Sequence, residues 1–292
     1  MKKIILTLTS LFVLAGGASA QNDFKVPQTQ EELGQLVEQM MKNIRAIKTA
    51  KFTFIKNERI IGEKELVKSE QIVKQNVSPR KIYMKILKGN NSGTELLLVD
   101  GVNENKAFVS AGKYVPTVSL GIRSKLVMDK QRHTLNELGF KYTGDLIYDA
   151  YVRYKHKAEE YAKYEGQVDY DGKKCHKIKL DNLEYKLNDY TVLKGENLIN
   201  IALKYKLDEY SLLEYNPSLK GVMDVKPGQV IKIPPTFSKS VIMYVDVKTL
   251  LPVYQKIFDL NGVVAEYAYQ NLQINVPIPD EEFTKDYKGY GF

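Results

Sequence analysis

The side chains best suited to covalent catalysis are few in this chain. Cys175 is the single cysteine, it is followed by His176, and the other histidines are His133 and His156. A Cys/His hydrolase needs its thiol and imidazole within hydrogen-bonding distance of each other. Because KKCHKIKLD alternates like a β-strand, Cys175 and His176 are predicted to point to opposite faces. They therefore do not form a catalytic pair.

Other catalytic signatures are also missing from the sequence. It has no HExxH, no Cys-x-x-Cys and no Gly-x-Ser-x-Gly, and so gives no support for metal or serine chemistry. Paired carboxylates for glycoside cleavage stay open, since any two of the 35 acidic residues can converge, but no pair stands out. We expect a protein that is not an enzyme, with no catalytic residue, no metal site and no cofactor.

Two neighbouring polar pairs have predicted structural roles. Arg132-His133 precedes a predicted helix, where His133 either titrates near neutral pH or hydrogen-bonds a carbonyl, and we expect the structural role. Glu58 and Arg59 are adjacent in a predicted strand, so they point to opposite faces. Each is expected to find a cross-strand partner.

The N-terminal residues predict export from the cytoplasm. Lys2 and Lys3 precede the apolar run IILTLTSLFVLAGG, which ends at ASA before Gln21. This pattern is typical of a signal peptide over residues 1–20, and the run is too short for a comfortable membrane span. We expect a periplasmic or secreted protein that begins near Gln21 and does not span the membrane.

The net charge says little about the partner. Removing Lys2 and Lys3 lowers the formal charge from +8 to +6. Nucleic acid is not expected as a partner, because an exported chain rarely meets it. Either an anionic component of the cell envelope or solubility alone accounts for the surplus.

Hydrophobic periodicity sets the order of the elements. Thr29 and Glu32 fit a capping box before an amphipathic helix that starts near Gln30. Alternating segments from residue 50 to residue 110 predict about five strands paired in sequence order as a meander. A helical pattern follows from Leu135 to about Tyr164, then a strand–turn–strand unit, and after residue 240 three more strands. This layout is α+β, with helices covering one face of a broad antiparallel sheet.

One segment between the predicted strands has a different residue pattern from its neighbours. YTVLKGENLINIALKYKLDEYSLLEYNPSLKGVMDVKPGQVIKIP, residues 190–234, resembles a LysM module in its Tyr-x-Val start, its Gly-Glu-x-Leu turn, its Asn-Pro and its Pro-Gly-Gln. The resemblance implies a strand–helix–helix–strand fold that binds N-acetylglucosamine glycans such as peptidoglycan. Alternation at Tyr190 and Val192 and a capping Asp208 agree with this fold.

The LysM resemblance also implies where a glycan binds. Two loops carry the contacts in that family. In this chain they are Gly195, Glu196, Asn197 and Leu198, then Asn216, Pro217, Ser218 and Leu219. Structural roles are an equal alternative: Gly195 suits a turn, Asn197 a helix cap and Asn216 a helix end.

The remainder of the chain carries a second resemblance. Residues 245–252, 259–262 and 277–283 are similar to the closing meander of LolA/LolB-type periplasmic lipoprotein carriers. FIKNERIIGE and KQRHTLNELGF resemble an exported bacterial family in that superfamily, domain of unknown function fifteen seventy-one. The resemblance implies an unclosed barrel of curved sheet, lidded by helices, around an apolar cavity for acyl chains.

Eight apolar strand residues are the candidates for the lining of such a cavity. They are Phe52, Phe54, Met84, Ile86, Leu96, Leu98, Phe108 and Met243. Whether the interior is hollow or filled stays open, but a filled core is the expectation because protein interiors are normally close-packed.

The domain organisation follows from both resemblances. A LolA-like domain is discontinuous over residues 21–189 and 235–283, the LysM module occupies the connection between two of its strands, and residues 284–292 form a loose tail. Two functions remain. One is a binding or carrier protein that holds a lipid or lipoprotein acyl chain and is tethered to peptidoglycan. The other is a structural envelope protein whose only ligand is the glycan.

Overall fold

The computed structural model describes residues 25–112 and 115–292. The predicted signal peptide and the predicted start at Gln21 lie outside these ranges. Among the described residues, no helix combines the length and the apolar character that a membrane crossing requires.

Eleven strands within the described ranges form one antiparallel sheet. Its order is β6-β5-β4-β3-β2-β1-β13-β12-β11-β8-β7, and the edge strands β6 and β7 do not pair with each other. The first five strands form the predicted meander, β6 extends it by one strand, and β1 joins it to the closing strands by pairing with β13. The strands are β1 (Thr49–Glu58), β2 (Val67–Asn76), β3 (Lys81–Lys88), β4 (Glu95–Val99), β5 (Ala107–Ser110), β6 (Val118–Leu120), β7 (Ala162–Tyr170), β8 (Lys173–Asp181), β11 (Ser240–Asp246), β12 (Pro252–Asp259) and β13 (Gly262–Ile274).

In the described part of this domain there are three α-helices, α1 (Gln30–Arg45), α2 (Phe140–Tyr154) and α3 (Ala158–Tyr161), and the first two pack against each other. Thr29 caps α1 by accepting a hydrogen bond from the backbone N–H of Glu32, as predicted. The other half of the predicted capping box differs, because Glu32 Oε2 accepts from Gln28 N and not from Thr29 N. The buried stripe of α1 packs with the inner side chains of the strands in one core. The unclosed α+β architecture is thereby confirmed.

The LysM segment folds as predicted within the described residues. Its elements are β9 (Asn188–Thr191), α4 (Leu198–Tyr205), α5 (Glu209–Tyr215) and β10 (Val230–Ile233). β9 and β10 pair antiparallel as a separate sheet, and eight buried residues form its own core: Val192, Leu198, Ile201, Ala202, Leu207, Leu212, Ile231 and Ile233.

The module occupies the turn of a β-hairpin. β8 and β11 pair antiparallel, with Asp181 opposite Ser240, and Asn182 N donates to Lys239 O at 2.7 Å. The chain therefore leaves and re-enters the large sheet at neighbouring points. A folded insert with close termini adds little loop-closure cost to such a connection.

Two local predictions need correction. The helical segment predicted from Leu135 to Tyr164 begins with a short 3-10 turn (Leu135–Glu137), and its last three residues already belong to β7. Strand β6 was not predicted, because a segment of three residues is too short to show alternation.

The predicted loose tail, residues 284–292, is wrong. The ring of Tyr290 stacks on Tyr83 with centroids 3.7 Å apart, and Gly291 N donates to Glu95 Oε2 at 3.0 Å. These contacts lie on the outer face of the sheet, which would otherwise expose its aromatic side chains there. The buried outer cluster is Tyr83, Leu97 and Phe283, with Val99, Phe108, Ile278, Tyr290 and Phe292 packed against it.

Candidate functional site

A cavity of about 400 Å³ lies between the inner face of the sheet and the segments that cover it. The expectation of a filled core is therefore wrong. A volume of this size falls within the range of small-molecule binding sites. Its apolar walls come from strands β1, β3, β4, β5, β12 and β13, from residues 115–127, and from residues 135–146, which include the start of α2.

Seven of the eight predicted lining residues divide into three groups. Phe54, Met84, Ile86 and Leu96 line the cavity. Phe52 and Leu98 are buried in the adjoining core, and Met243 borders a smaller neighbouring cavity of about 60 Å³.

Phe108 does not belong to the cavity at all. It packs in the outer cluster with Leu97, its partner on β4, while the next residue, Val109, lines the cavity. Successive side chains of a strand point to opposite faces, so the choice of Phe108 was one residue out of register.

Buried polar side chains line one part of the cavity, and only some of them were noticed in the sequence. Glu58 Oε2 lies 2.9 Å from Lys56 Nζ, and Glu58 Oε1 accepts a hydrogen bond from Tyr267 OH at 2.8 Å. Lys56 Nζ also donates to Gln131 Oε1. Burial raises the pKa of Glu58, but Lys56 and His133 outweigh it and hold that pKa below its usual value. Glu58 therefore stays charged inside the protein.

His133 belongs to the same polar region. Its Nδ1 lies 3.3 Å from Glu137 Oε2, and its ring stacks on Phe237. Burial lowers the pKa of His133, but the hydrogen bond to Glu137 and the charges of Asp208 and Glu58 outweigh it, so the pKa is raised. His133 thus contacts a carboxylate and not the carbonyl that one sequence interpretation had suggested.

Arg132 connects the cavity wall to the LysM module. Its side chain is fully buried, and Nη2 lies 2.7 Å from Asp208 Oδ2 and 2.9 Å from Glu214 Oε2. Ser211 Oγ accepts a third hydrogen bond from Nη2 at 2.9 Å, and Nη1 donates to Arg59 O at 2.8 Å. All three side-chain partners lie on α5 or at its N-cap, so this face of α5 is fixed to the large domain.

Arg59 strengthens the same contact from the end of β1. It forms a two-bond pair with Glu214, at 2.8 and 3.0 Å, and a second pair with Asp259 of β12. Tyr210 OH accepts a hydrogen bond from Ile61 N at 2.6 Å. Glu58 and Arg59 therefore take different partners, as their opposite directions required.

The predicted glycan residues lie in two loops that approach each other, since Leu198 N donates to Val222 O at 2.9 Å. Leu198 itself is buried in the module core, so its side chain is not available for a glycan. Gly195, Pro217 and Ser218 are exposed.

Three of the predicted glycan residues, Glu196, Asn197 and Asn216, make hydrogen bonds within the module. Asn197 caps α4 and exchanges hydrogen bonds with Asn200. Glu196 binds Tyr190 OH and Leu193 N.

The side-chain amide of Asn216 is buried between helix α5 and strand β10. Its Nδ2 donates to Leu212 O and Lys232 O, and its Oδ1 accepts from Lys232 N. The side chain therefore closes the end of α5 onto β10. The eighth predicted residue, Leu219, is half-buried and packs against the module core.

Comparisons with known proteins agree with both resemblances. An inserted LysM domain is shown by a family model of that description, which matches residues 190–234. The chain belongs to the family described as "Protein of unknown function (DUF1571)", whose model matches residues 47–204, more than half of the chain. Comparison with curated protein sequences gave no match.

Solved structures with a similar arrangement share little sequence with this chain. The Mycobacterium tuberculosis lipoprotein LppX is 11% identical, with a TM-score of 0.41, over 86% of this chain and 99% of that chain. A LolA superfamily protein from Nitrosomonas europaea is 10% identical, with a TM-score of 0.30, over 87% and 98%. A putative outer membrane lipoprotein-sorting protein domain from Vibrio parahaemolyticus is 9% identical, with a TM-score of 0.33, over 88% and 98%. All three TM-scores are below 0.5, so the case for a ligand rests on the cavity itself.

Replacing Arg132 tests whether the buried ion pairs hold the module to the large domain. Arg132→Met should lower the free energy of unfolding by about 3–5 kcal/mol, because Asp208 loses its buried ion-pair partner and Glu214 keeps only Arg59. Lys88→Met is the matched control, since Lys88 pairs with Glu70 at the surface and such pairs contribute about 1 kcal/mol or less. Urea unfolding of both variants makes the comparison. Similar small losses would contradict the assigned role of Arg132.

The raised pKa of His133 predicts a pH dependence of stability. Protonated His133 contributes stability that is fully present below about pH 6.5, its usual pKa, and that is lost as the pH rises through the folded-state pKa. His133→Gln should remove this part of the slope of the unfolding free energy against pH. Urea unfolding at several pH values above 6 measures it, and an unchanged slope in the variant would show that another group titrates.

Proposed function

We propose that this protein is a binding protein of the cell envelope, exported by its N-terminal segment, with two ligands. Its cavity holds an acyl chain or a similar aliphatic group, and its LysM module binds peptidoglycan or a related N-acetylglucosamine glycan. The observation that carries the proposal is the largely apolar cavity of about 400 Å³ under the sheet. A well-packed domain does not retain a space of this size without a use for it.

The position of the LysM loops supports the second ligand. Asp208, Ser211 and Glu214 of the α5 region face the large domain. The two loops lie at the ends of α4 and α5, where Gly195 and Ser218 remain exposed. Contact with the large domain therefore leaves the loops accessible to a glycan.

The contact between the two parts gives the glycan module a definite role. A module on flexible linkers would let the cavity sample many orientations relative to the wall. Buried ion pairs at Arg132 and Arg59 instead keep the cavity at a fixed position relative to the bound glycan.

A purely structural envelope protein is less well supported, because that function predicted a filled interior. A hydrolase also lacks support from the described residues. Within residues 25–112 and 115–292, the cavity places no cysteine beside His133, and no three His, Cys, Asp or Glu side chains gather as a metal site. We therefore favour binding over catalysis.

Filling the cavity tests the first ligand. Ile86 lines the cavity, so Ile86→Trp should remove most of the aliphatic material that organic extraction and mass spectrometry recover from the purified protein. Ile72→Trp places the same change on the neighbouring strand at a partly exposed side chain, and should leave the recovered lipid unchanged. Absence of any lipid from all three proteins, or equal amounts in them, would count against the cavity as a binding site.

A charge placed in the second predicted glycan loop, residues 216–219, tests binding of the glycan. Ser218→Glu should weaken binding to soluble N-acetylglucosamine oligomers by about tenfold, since a bulky charge is desolvated against the sugar. Leu203→Glu introduces the same group on the exposed side of α4 and should bind like the unmodified protein. Isothermal titration calorimetry compares the two. Equal affinities would place the glycan elsewhere.

A further inference from the structure

A row of polar side chains crosses the inner face of the sheet. Gln255 of β12 lies opposite Tyr267 of β13, and Tyr267 lies opposite Lys56 of β1. Residues in register on adjacent strands point to the same face. All three line the cavity, and the row therefore forms a polar strip on an otherwise apolar wall.

The acceptors along this strip already have donors. Glu58 accepts from Lys56 with one oxygen and from Tyr267 with the other. Glu137 Oε2 accepts from Thr134 N at 2.9 Å and contacts His133. Asp129, which also lines the cavity, accepts from Asn91 Nδ2 at 3.2 Å. These three carboxylates thus have hydrogen-bond donors within the protein itself.

The side-chain amide of Gln255 has a donor left over. Gln255 is 6% exposed, and its Nε2 is buried with no hydrogen-bond partner among the described residues. A buried amide without a partner costs free energy. A group that enters the cavity and accepts a hydrogen bond would recover this cost.

The charges around the strip argue against an anionic acceptor. Lys56 is paired with Glu58, His133 is paired with Glu137, and Asp208 adds a further negative charge beside His133. Within residues 25–112 and 115–292, the cations that line the cavity are Lys56 and His133, and each is paired with a carboxylate. A ligand carboxylate would therefore be desolvated with no free charge from these residues to balance it.

The rest of the wall suits a hydrocarbon chain. Met84, Ile86 and Leu96 form it on β3 and β4, and residues 115–127 cover it. Leu126 is 72% exposed although it also borders the cavity. The apolar wall thus extends to the solvent-exposed side of this covering segment.

We propose that the cavity ligand is a neutral acyl lipid whose ester or amide carbonyl accepts a hydrogen bond from Gln255 Nε2, with its chain along β3 and β4. The inference rests on the proposed function of the cavity and adds the chemistry and the direction of its ligand. It distinguishes an acyl ester or amide from a free fatty acid.

Four small probes with matched chains test the inference: methyl decanoate, N-methyldecanamide, decanoate and 1-bromodecane. Binding to the full chain is measured by equilibrium dialysis at pH 7, with gas chromatography as the readout. Only methyl decanoate and N-methyldecanamide offer an uncharged carbonyl. We therefore expect whichever of these two binds more tightly to bind about tenfold tighter than decanoate and 1-bromodecane. The tighter of the two identifies the kind of acyl linkage.

Gln255→Leu completes the test. The substitution removes a donor that has no partner in the part of the chain that the structure describes, so it should not impair folding. It should reduce ester and amide binding to the level of 1-bromodecane. Gln35→Leu makes the same change at an exposed position of α1 and should leave all affinities unchanged.

The outcomes separate the inference from the proposed function. If 1-bromodecane binds as tightly as the carbonyl probes, or if decanoate binds more tightly than they do, the cavity still takes aliphatic chains but the role of Gln255 is wrong. If Gln255→Leu leaves ester and amide binding intact, the inference is likewise overturned. If none of the four probes binds, the proposed function of the cavity fails.

Discussion

The buried guanidinium of Arg132 fixes the relation between the two parts of this protein. An arginine that is fully removed from water requires partners for its charge, and here Asp208 and Glu214 of the LysM module supply them. The adjacent residues, Gln131 and His133, face the cavity. The same short loop therefore carries the wall of one candidate site and the attachment of the other.

Strand β1 explains how a single sheet makes both an apolar and a polar wall. Every second residue from Ala50 to Glu58 is buried. The first of these side chains are apolar, and the last two are Lys56 and Glu58. Because the strand alternates strictly, the change from apolar to charged takes place on one face, and β13 and β12 extend the polar part through Tyr267 and Gln255. A ligand with an aliphatic chain and one polar group matches this division.

Sequence reasoning predicted the elements well where periodicity or a dense motif was present. The meander follows from alternation and turn residues, whereas the LysM fold and its insertion within a hairpin were implied by the family resemblances. It predicted the cavity less well, because whether side chains fill a space depends on how distant segments approach. Four of the eight candidates, including Phe54 and Ile86, border the cavity, whereas Phe108 lies one position out of register with it. Gln255 gave no signal at all, since an unpaired donor is visible only when the neighbours of its side chain are known.

Arg132 was noticed, but its partners lie more than 70 residues away. The tail was predicted to be loose because its sequence is polar, and the contacts of its aromatic rings depend on the outer face of a sheet that is distant in sequence.

A crystal structure with bound methyl 12-bromododecanoate would test the central claim most directly. The bromine marks the chain terminus by anomalous scattering, and the ester marks the other end. The account predicts the ester carbonyl within hydrogen-bonding distance of Gln255 Nε2 and the bromine among the apolar side chains of β3, β4 and residues 115–127. A ligand bound outside the cavity, or one with the bromine beside Gln255 and the ester toward Leu126, would contradict it.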